Sequence, residues 1–120
     1  MLFGLFAPSA GAQGVPLFTA DYYLQHPEQY LGKQVTVAVA YLSPRNEERR
    51  DGMRQLDAST YNQNSWGEQI AVLAPEKKAG ELSALCGSRL QFSGGRVKMT
   101  LIHGLFSKEE GKGYYLFVPQ

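Results

Sequence analysis

Seven side chains in the first two thirds of this sequence are of kinds that hold ligands: Tyr41, Arg45, Arg49, Arg50, Arg54, Tyr61 and Trp66. A guanidinium group neutralises phosphate or pairs with a carboxylate. An aromatic ring offers a flat face on which a base or a sugar stacks, worth roughly 1–3 kcal/mol per stacked base. Against a phosphate-binding role, Glu47, Glu48 and Asp51 interleave the arginines of "SPRNEERRD" and cancel most of the local charge. Such balance favours a solvated hairpin loop over a nucleic-acid groove. Trp66 stands beside Gly67 and follows Asn62, Gln63, Asn64 and Ser65. A tryptophan in a polar turn either folds back over the domain or is exposed for a partner.

Catalytic and metal-binding patterns are missing. His26 precedes Pro27 at an expected helix break, and His103 lies in "TLIHGL". Neither belongs to an H-E-x-x-H or other metal spacing, so no metal site is expected. Cys86 is the single cysteine, which excludes an intrachain disulfide and an all-cysteine metal site. Its setting in "LSALCG" suits a small buried hydrophobe better than a reactive thiol. There is no G-x-S-x-G, and the "GKG" at 111–113 lacks phosphate-loop spacing. Gly111 and Gly113 are better read as turn glycines with positive φ. No pair of carboxylates stands out as acid and base. The expectation is a protein without catalytic residues or cofactor.

Composition sets the frame in which those residues sit. The chain of 120 residues carries 43% hydrophobic and 19% charged residues, the balance of an ordinary folded domain, and is long enough for one core. Its net charge of +1 provides no overall field to gather nucleic acid or an anionic membrane. The first residues, "MLFGLFAPSAGA", are uncharged and end with Ala10 and Ala12 in an A-x-A arrangement. Residues 1–12 are therefore read as the remnant of an export signal cut after Ala12, leaving 13–120 as one domain that is periplasmic or secreted. A membrane span is not expected, because about 20 apolar residues are needed and Pro8 interrupts this run.

The elements follow from periodicity. "TADYYLQHPEQYLGK" predicts a helix from Thr19 to about Gln25, a short turn from Pro27 to Leu31, and an exit at Gly32. In "YLGKQVTVAVAYL", Val35, Val37, Val39 and Tyr41 alternate with Thr36, Ala38, Ala40 and Leu42, the period of a strand. "GMRQLDAST" reads as its partner, "YNQNSWG" as a polar turn, and "EQIAVLA" as a third strand. "PEKKAGELSALCG" breaks the run of strands with a helix that buries Ala79, Leu82 and Leu85 or Cys86 and stops at Gly87. "RLQF", an "SGG" turn that suggests an extra hairpin, a long strand "RVKMTLIHGLF" and a final "YYLFV" complete the chain.

Helix, three strands, helix, further strands is the order of a small OB-fold-like Greek-key β-barrel, mainly β, with one helix between its third and fourth strands. Here "YLGKQVTVAV" resembles the Y-x-G-K-x-V-x-V start of the first barrel strand in several bacterial OB-fold families. "LDAST" with "WGEQIAV" is similar to their second and third strands, and "LIHGLF" to a V-x-G-x-(V/F) strand near their end. The resemblance spans roughly residues 20–118 and implies a barrel that binds across its second and third strands. Such families include exported domains and nucleic-acid binders. The expected function is non-catalytic binding of a protein, peptide or small polar ligand at the face bearing Tyr41, Arg54, Tyr61 and Trp66. The alternative is single-stranded nucleic acid or oligosaccharide.

Overall fold

A computed structural model of the chain describes residues 15–45 and 51–120. The apolar start with its Ala10 and Ala12, and with it the export reading, lies outside the described residues, as do Arg49 and Arg50.

Strands β1 (Gln34–Pro44), β2 (Met53–Asn62) and β3 (Ser65–Pro75) form an antiparallel meander. β1 sends Val35, Val37 and Val39 into the core, as its alternation requires. Then the phase changes. Val39 pairs with Thr60 but Tyr41 pairs with Ser59, so Ala40 is an extra residue in the strand, a β-bulge. The bulge passes the inward position to Leu42 and frees Tyr41 from the valine face, contrary to the simple alternation. A second irregularity lies on the other side of the same residue. Ser59 pairs with Gln69 and Tyr61 with Trp66, which leaves Gly67 and Glu68 together opposite Thr60.

The β2–β3 connection is also tighter than the polar run suggests. Only Gln63 and Asn64 turn, both with positive φ, and the strands continue to Asn62 and from Ser65. Trp66 therefore belongs to a strand and not to a turn.

After β3 comes helix α3 (Glu76–Cys86), which buries Ala79, Leu82 and Cys86 against the barrel core and leaves Leu85 exposed. Gly87 ends it at φ +81°, a conformation open to glycine. Its carbonyl accepts the Leu42 N–H at 2.9 Å, tying the helix end to β1. The expected long strand beyond is two elements. β4 (Phe92–Ser93) and β5 (Arg96–Val97) make a separate hairpin over the Gly94–Gly95 turn, and β6 starts afresh (Thr100–Glu109). β7 (Gly113–Phe117) completes a closed barrel in the order β1-β2-β3-β7-β6, with β6 returning to β1. β3 and β7 run parallel and pair only over Ala71–Leu73 with Tyr115–Phe117. The fold is thus mainly β, a closed five-strand Greek-key barrel of OB-like order, with a helix between its third and fourth strands. Among the described residues no helix is long and apolar enough to cross a membrane.

Two short helices, α1 (Ala20–Leu24) and α2 (Pro27–Tyr30), precede the barrel and are separated at His26, as Pro27 demands. Thr19 precedes α1 but does not cap it with its side chain, because its hydroxyl donates to the Pro16 carbonyl at 2.8 Å. The first N–H of the helix, that of Ala20, donates instead to Thr60 Oγ1 at 3.0 Å, and Thr60 donates to the Glu68 carbonyl at 2.7 Å. Asp21 Oδ1 accepts the Glu68 N–H at 2.5 Å. Gly67 permits this approach, since a Cβ there would stand 2.6 Å from Thr19 Cβ and 2.7 Å from Thr60 Oγ1. The irregularity between β2 and β3 thus seats α1 on the sheet. The Ala38 N–H donates to the Phe18 carbonyl, and the Tyr23 hydroxyl donates to the Thr36 carbonyl, so the same segment satisfies the stretch of β1 that β2 leaves unpaired. Burial pushes the Tyr23 phenol above its ordinary value near 10, against the lowering effect of the Thr36 backbone.

Candidate functional site

The outward side chains of β2 and β3 make one strip, because alternation along both strands puts Leu56, Ala58, Ile70 and Val72 inside. At one end of the strip lie Tyr61 and Trp66, whose rings meet edge to face at 4.9 Å, with Tyr41 6.4 Å from Trp66. Trp66 is 50% exposed. The structure therefore brings together the three aromatic residues singled out in the sequence. The arginines lie elsewhere. Arg54 is near the opposite end of β2, seven residues or about 23 Å from Tyr61 in extended chain, and its guanidinium pairs with Glu76 Oε2 at 2.5 Å. Arg45 Nε donates to Asp57 Oδ2 at 3.0 Å, midway along the strip.

Beside that Arg45–Asp57 pair is a groove of about 450 Å³. It opens because β3 and β7 stop pairing at Ala71 and Tyr115. Its apolar walls are Leu24 from α1, Ile70 and Ala71 from β3, and Tyr114 from β7. Its polar groups are Arg45, Gln55, Asp57, Gln69 and Lys112. A smaller pocket beside it shares Gln55, Ala71, Lys112 and Tyr114.

Several of these groups are held from behind. The Tyr114 ring stacks on the buried Phe106 ring at 5.4 Å and 7°, and Phe106 lies 6.0 Å from Tyr23. Lys108 Nζ stands 5.5 Å from the Tyr114 centroid, within cation–π range. Gln69 Nε2 donates to Ser59 Oγ at 3.1 Å. Lys112 sits between Gly111 and Gly113, both at positive φ, in the β6–β7 turn. Its ammonium takes part in none of the ion pairs among the described residues.

The residues considered for catalysis lie on separate elements. His26 flanks α2, while His103 on β6 exchanges a 2.8 Å hydrogen bond with Thr36 Oγ1. Cys86 is buried at the end of α3, and burial raises its thiol above the ordinary value despite the Thr100 side chain and Lys98 nearby. Among the described residues no three His, Cys, Asp or Glu side chains gather as a metal site.

Sequence reasoning pointed to Arg45 and passed over Gln55, Asp57, Gln69, Lys112 and Tyr114. A signal for some of them was present: Gln55, Asp57 and Ser59 fall at every second position of β2, the polar face of a strand whose other face is core. Comparison with protein-family models, curated proteins and solved structures finds no match for this chain.

Proposed function

We propose that this barrel is a non-catalytic binding domain, working outside the cytoplasm, that takes a small polar ligand or a polar peptide segment in the groove between β3 and β7. The observation that carries this reading is the groove itself, which sets Leu24, Ile70, Ala71 and Tyr114 among amide and charged groups. Its volume of about 450 Å³ falls within the range of about 300–1,000 Å³ typical of ligand pockets. Arg45, Gln69 and Tyr114 are each fixed by a neighbour, so binding would order few side chains, which favours affinity. Lys112 supplies a cation for a carboxylate, and Asp57 and the two glutamines supply acceptors and donors.

The Tyr41–Tyr61–Trp66 cluster favours a second reading, an oligosaccharide lying along the strip with a ring stacked on Trp66. Single-stranded nucleic acid is less well supported, since Arg45 and Arg54 both face carboxylates.

Titration of the ¹⁵N-labelled chain with tripeptides of differing charge and with cello- and malto-oligosaccharides tests both. The first reading expects amide shifts at Gln55–Asp57, Gln69–Ala71 and Lys112–Tyr114, with Lys112→Glu reversing the charge preference among peptides. Sugar-induced quenching of Trp66, the single tryptophan, is expected for the second. No shift in the groove with any probe at millimolar concentration would overturn the proposal.

A further inference from the structure

The β4–β5 hairpin has no place in the barrel or the groove, yet its composition is sharply divided. Phe92 pairs with Val97 and Ser93 with Arg96, and the Lys98 N–H donates to the Gln91 carbonyl at 2.8 Å, which carries the register on toward Leu90 and Met99. Alternation then places Leu90, Phe92, Val97 and Met99 on one face of the ribbon and Gln91, Ser93, Arg96 and Lys98 on the other. The apolar face is not covered. Phe92 is 64% exposed and Leu90 and Met99 are exposed as well. Leu85 and Leu101, next in sequence to Cys86 and Thr100, are exposed too. Five of the eight exposed large hydrophobic residues among those described thus fall between positions 85 and 101.

Charge is segregated in the same stretch. No Asp or Glu occurs between Glu81 and Glu109, while Arg89, Arg96, Lys98 and Lys108 do. Arg89, Arg96 and Lys98 enter none of the ion pairs among the described residues. The overall charge of +1 conceals this local excess.

We infer that this ribbon docks the protein on an anionic lipid surface, Phe92, Leu90 and Met99 entering the headgroup boundary while Arg89, Arg96 and Lys98 meet lipid phosphates. A bilayer surface offers an apolar layer beside a layer of negative charge, which is what an amphipathic element with cations on its polar face requires. Phenylalanine and leucine are typical of the face that such an element buries there. A second copy of the chain fits less well, because it would add its own unanswered cations to the same interface.

Sedimentation of the full chain with vesicles of phosphatidylcholine, alone or mixed with phosphatidylglycerol, tests this. Binding is expected only to the mixed vesicles, and it should fall as salt rises. Arg96→Gln and Lys98→Gln should each weaken it about fivefold, and Phe92→Ser by roughly tenfold or more. Unchanged thermal melting of each variant separates loss of docking from loss of fold. The inference is overturned by failure to bind mixed vesicles at low salt, or by binding that Phe92→Ser leaves intact. It is equally overturned by a dimer that Phe92→Ser dissolves, or by poly-glutamate binding the ribbon as tightly as the vesicles do.

Discussion

Replacing Thr60 by valine keeps the shape of the side chain and removes one oxygen. That oxygen is fully buried and serves two backbone groups at the point where α1 meets the sheet, accepting from Ala20 and donating to Glu68. Valine leaves the Ala20 N–H and the Glu68 carbonyl without this partner. A buried polar group stranded in this way costs about 1–3 kcal/mol, so the pair should cost about 2–6 kcal/mol. Against a domain stability on the order of 5–15 kcal/mol that is a large fraction, and at about 4 °C per kcal/mol it lowers the melting temperature by about 8–24 °C. Thr60→Ser keeps the hydroxyl and should lose only about 1 kcal/mol, the transfer value of its methyl. Urea unfolding followed by circular dichroism measures both variants, with equal slopes confirming that the same surface is exposed. Because Leu24 of α1 walls the groove, Thr60→Val should also weaken any ligand that the groove accepts. A valine variant as stable as the serine variant would refute the claim that this hydroxyl seats the helix.

Three further outcomes are expected. The raised Tyr23 phenol contributes fully below about pH 10, where it is protonated in folded and unfolded chains alike; above that pH the unfolded chain ionises first and stability falls. Tyr23→Phe should therefore flatten the alkaline decline in melting temperature, Tyr30 retaining part of it, and cost about 1 kcal/mol at neutral pH through the lost Thr36 bond; an unchanged alkaline slope would contradict this. Cys86, buried and with its thiol raised, should react with an aromatic disulfide reagent at pH 8 only on unfolding, and prompt colour from the native protein would contradict its placement. Gly104→Ala should destabilise by about 1–3 kcal/mol, because a Cβ would lie 2.7 Å from the Phe117 carbonyl and 2.8 Å from Leu116 Cγ. Gly80→Ala, in open space on α3, should stabilise by about 0.5–1 kcal/mol; denaturant midpoints of the two variants moving the same way would contradict the contrast.

The barrel was legible wherever one physical rule governed a whole stretch. Val35, Val37 and Val39 alternate because a strand has two faces, and Ala79, Leu82 and Cys86 recur because a helix turns. The bulges were not legible. "AVAYL" is apolar at every position, so nothing local marks Ala40 as surplus, and its role depends on Thr60 two strand lengths away. The extension of β3 back to Ser65 was hidden by amide side chains that suit a turn, yet Gln63 and Asn64 alone sufficed for it. Lys112 was passed over for a related reason. Its neighbouring glycines do make the turn as read, but only the folded chain shows the turn bringing Lys112 to the groove.

The parallel seam between β3 and β7 is the briefest stave joint in the cylinder, three residues joining segments remote along the chain. Drawing such distant segments together carries a loop-closure penalty that only nearly finished structure offsets. That joint should therefore set late in folding and loosen early, so that weakening it hastens unfolding with little effect on the folding rate. A molecule lodged at its mouth would act as a clasp, lengthening the lifetime of the closed cylinder in proportion to how firmly it is gripped.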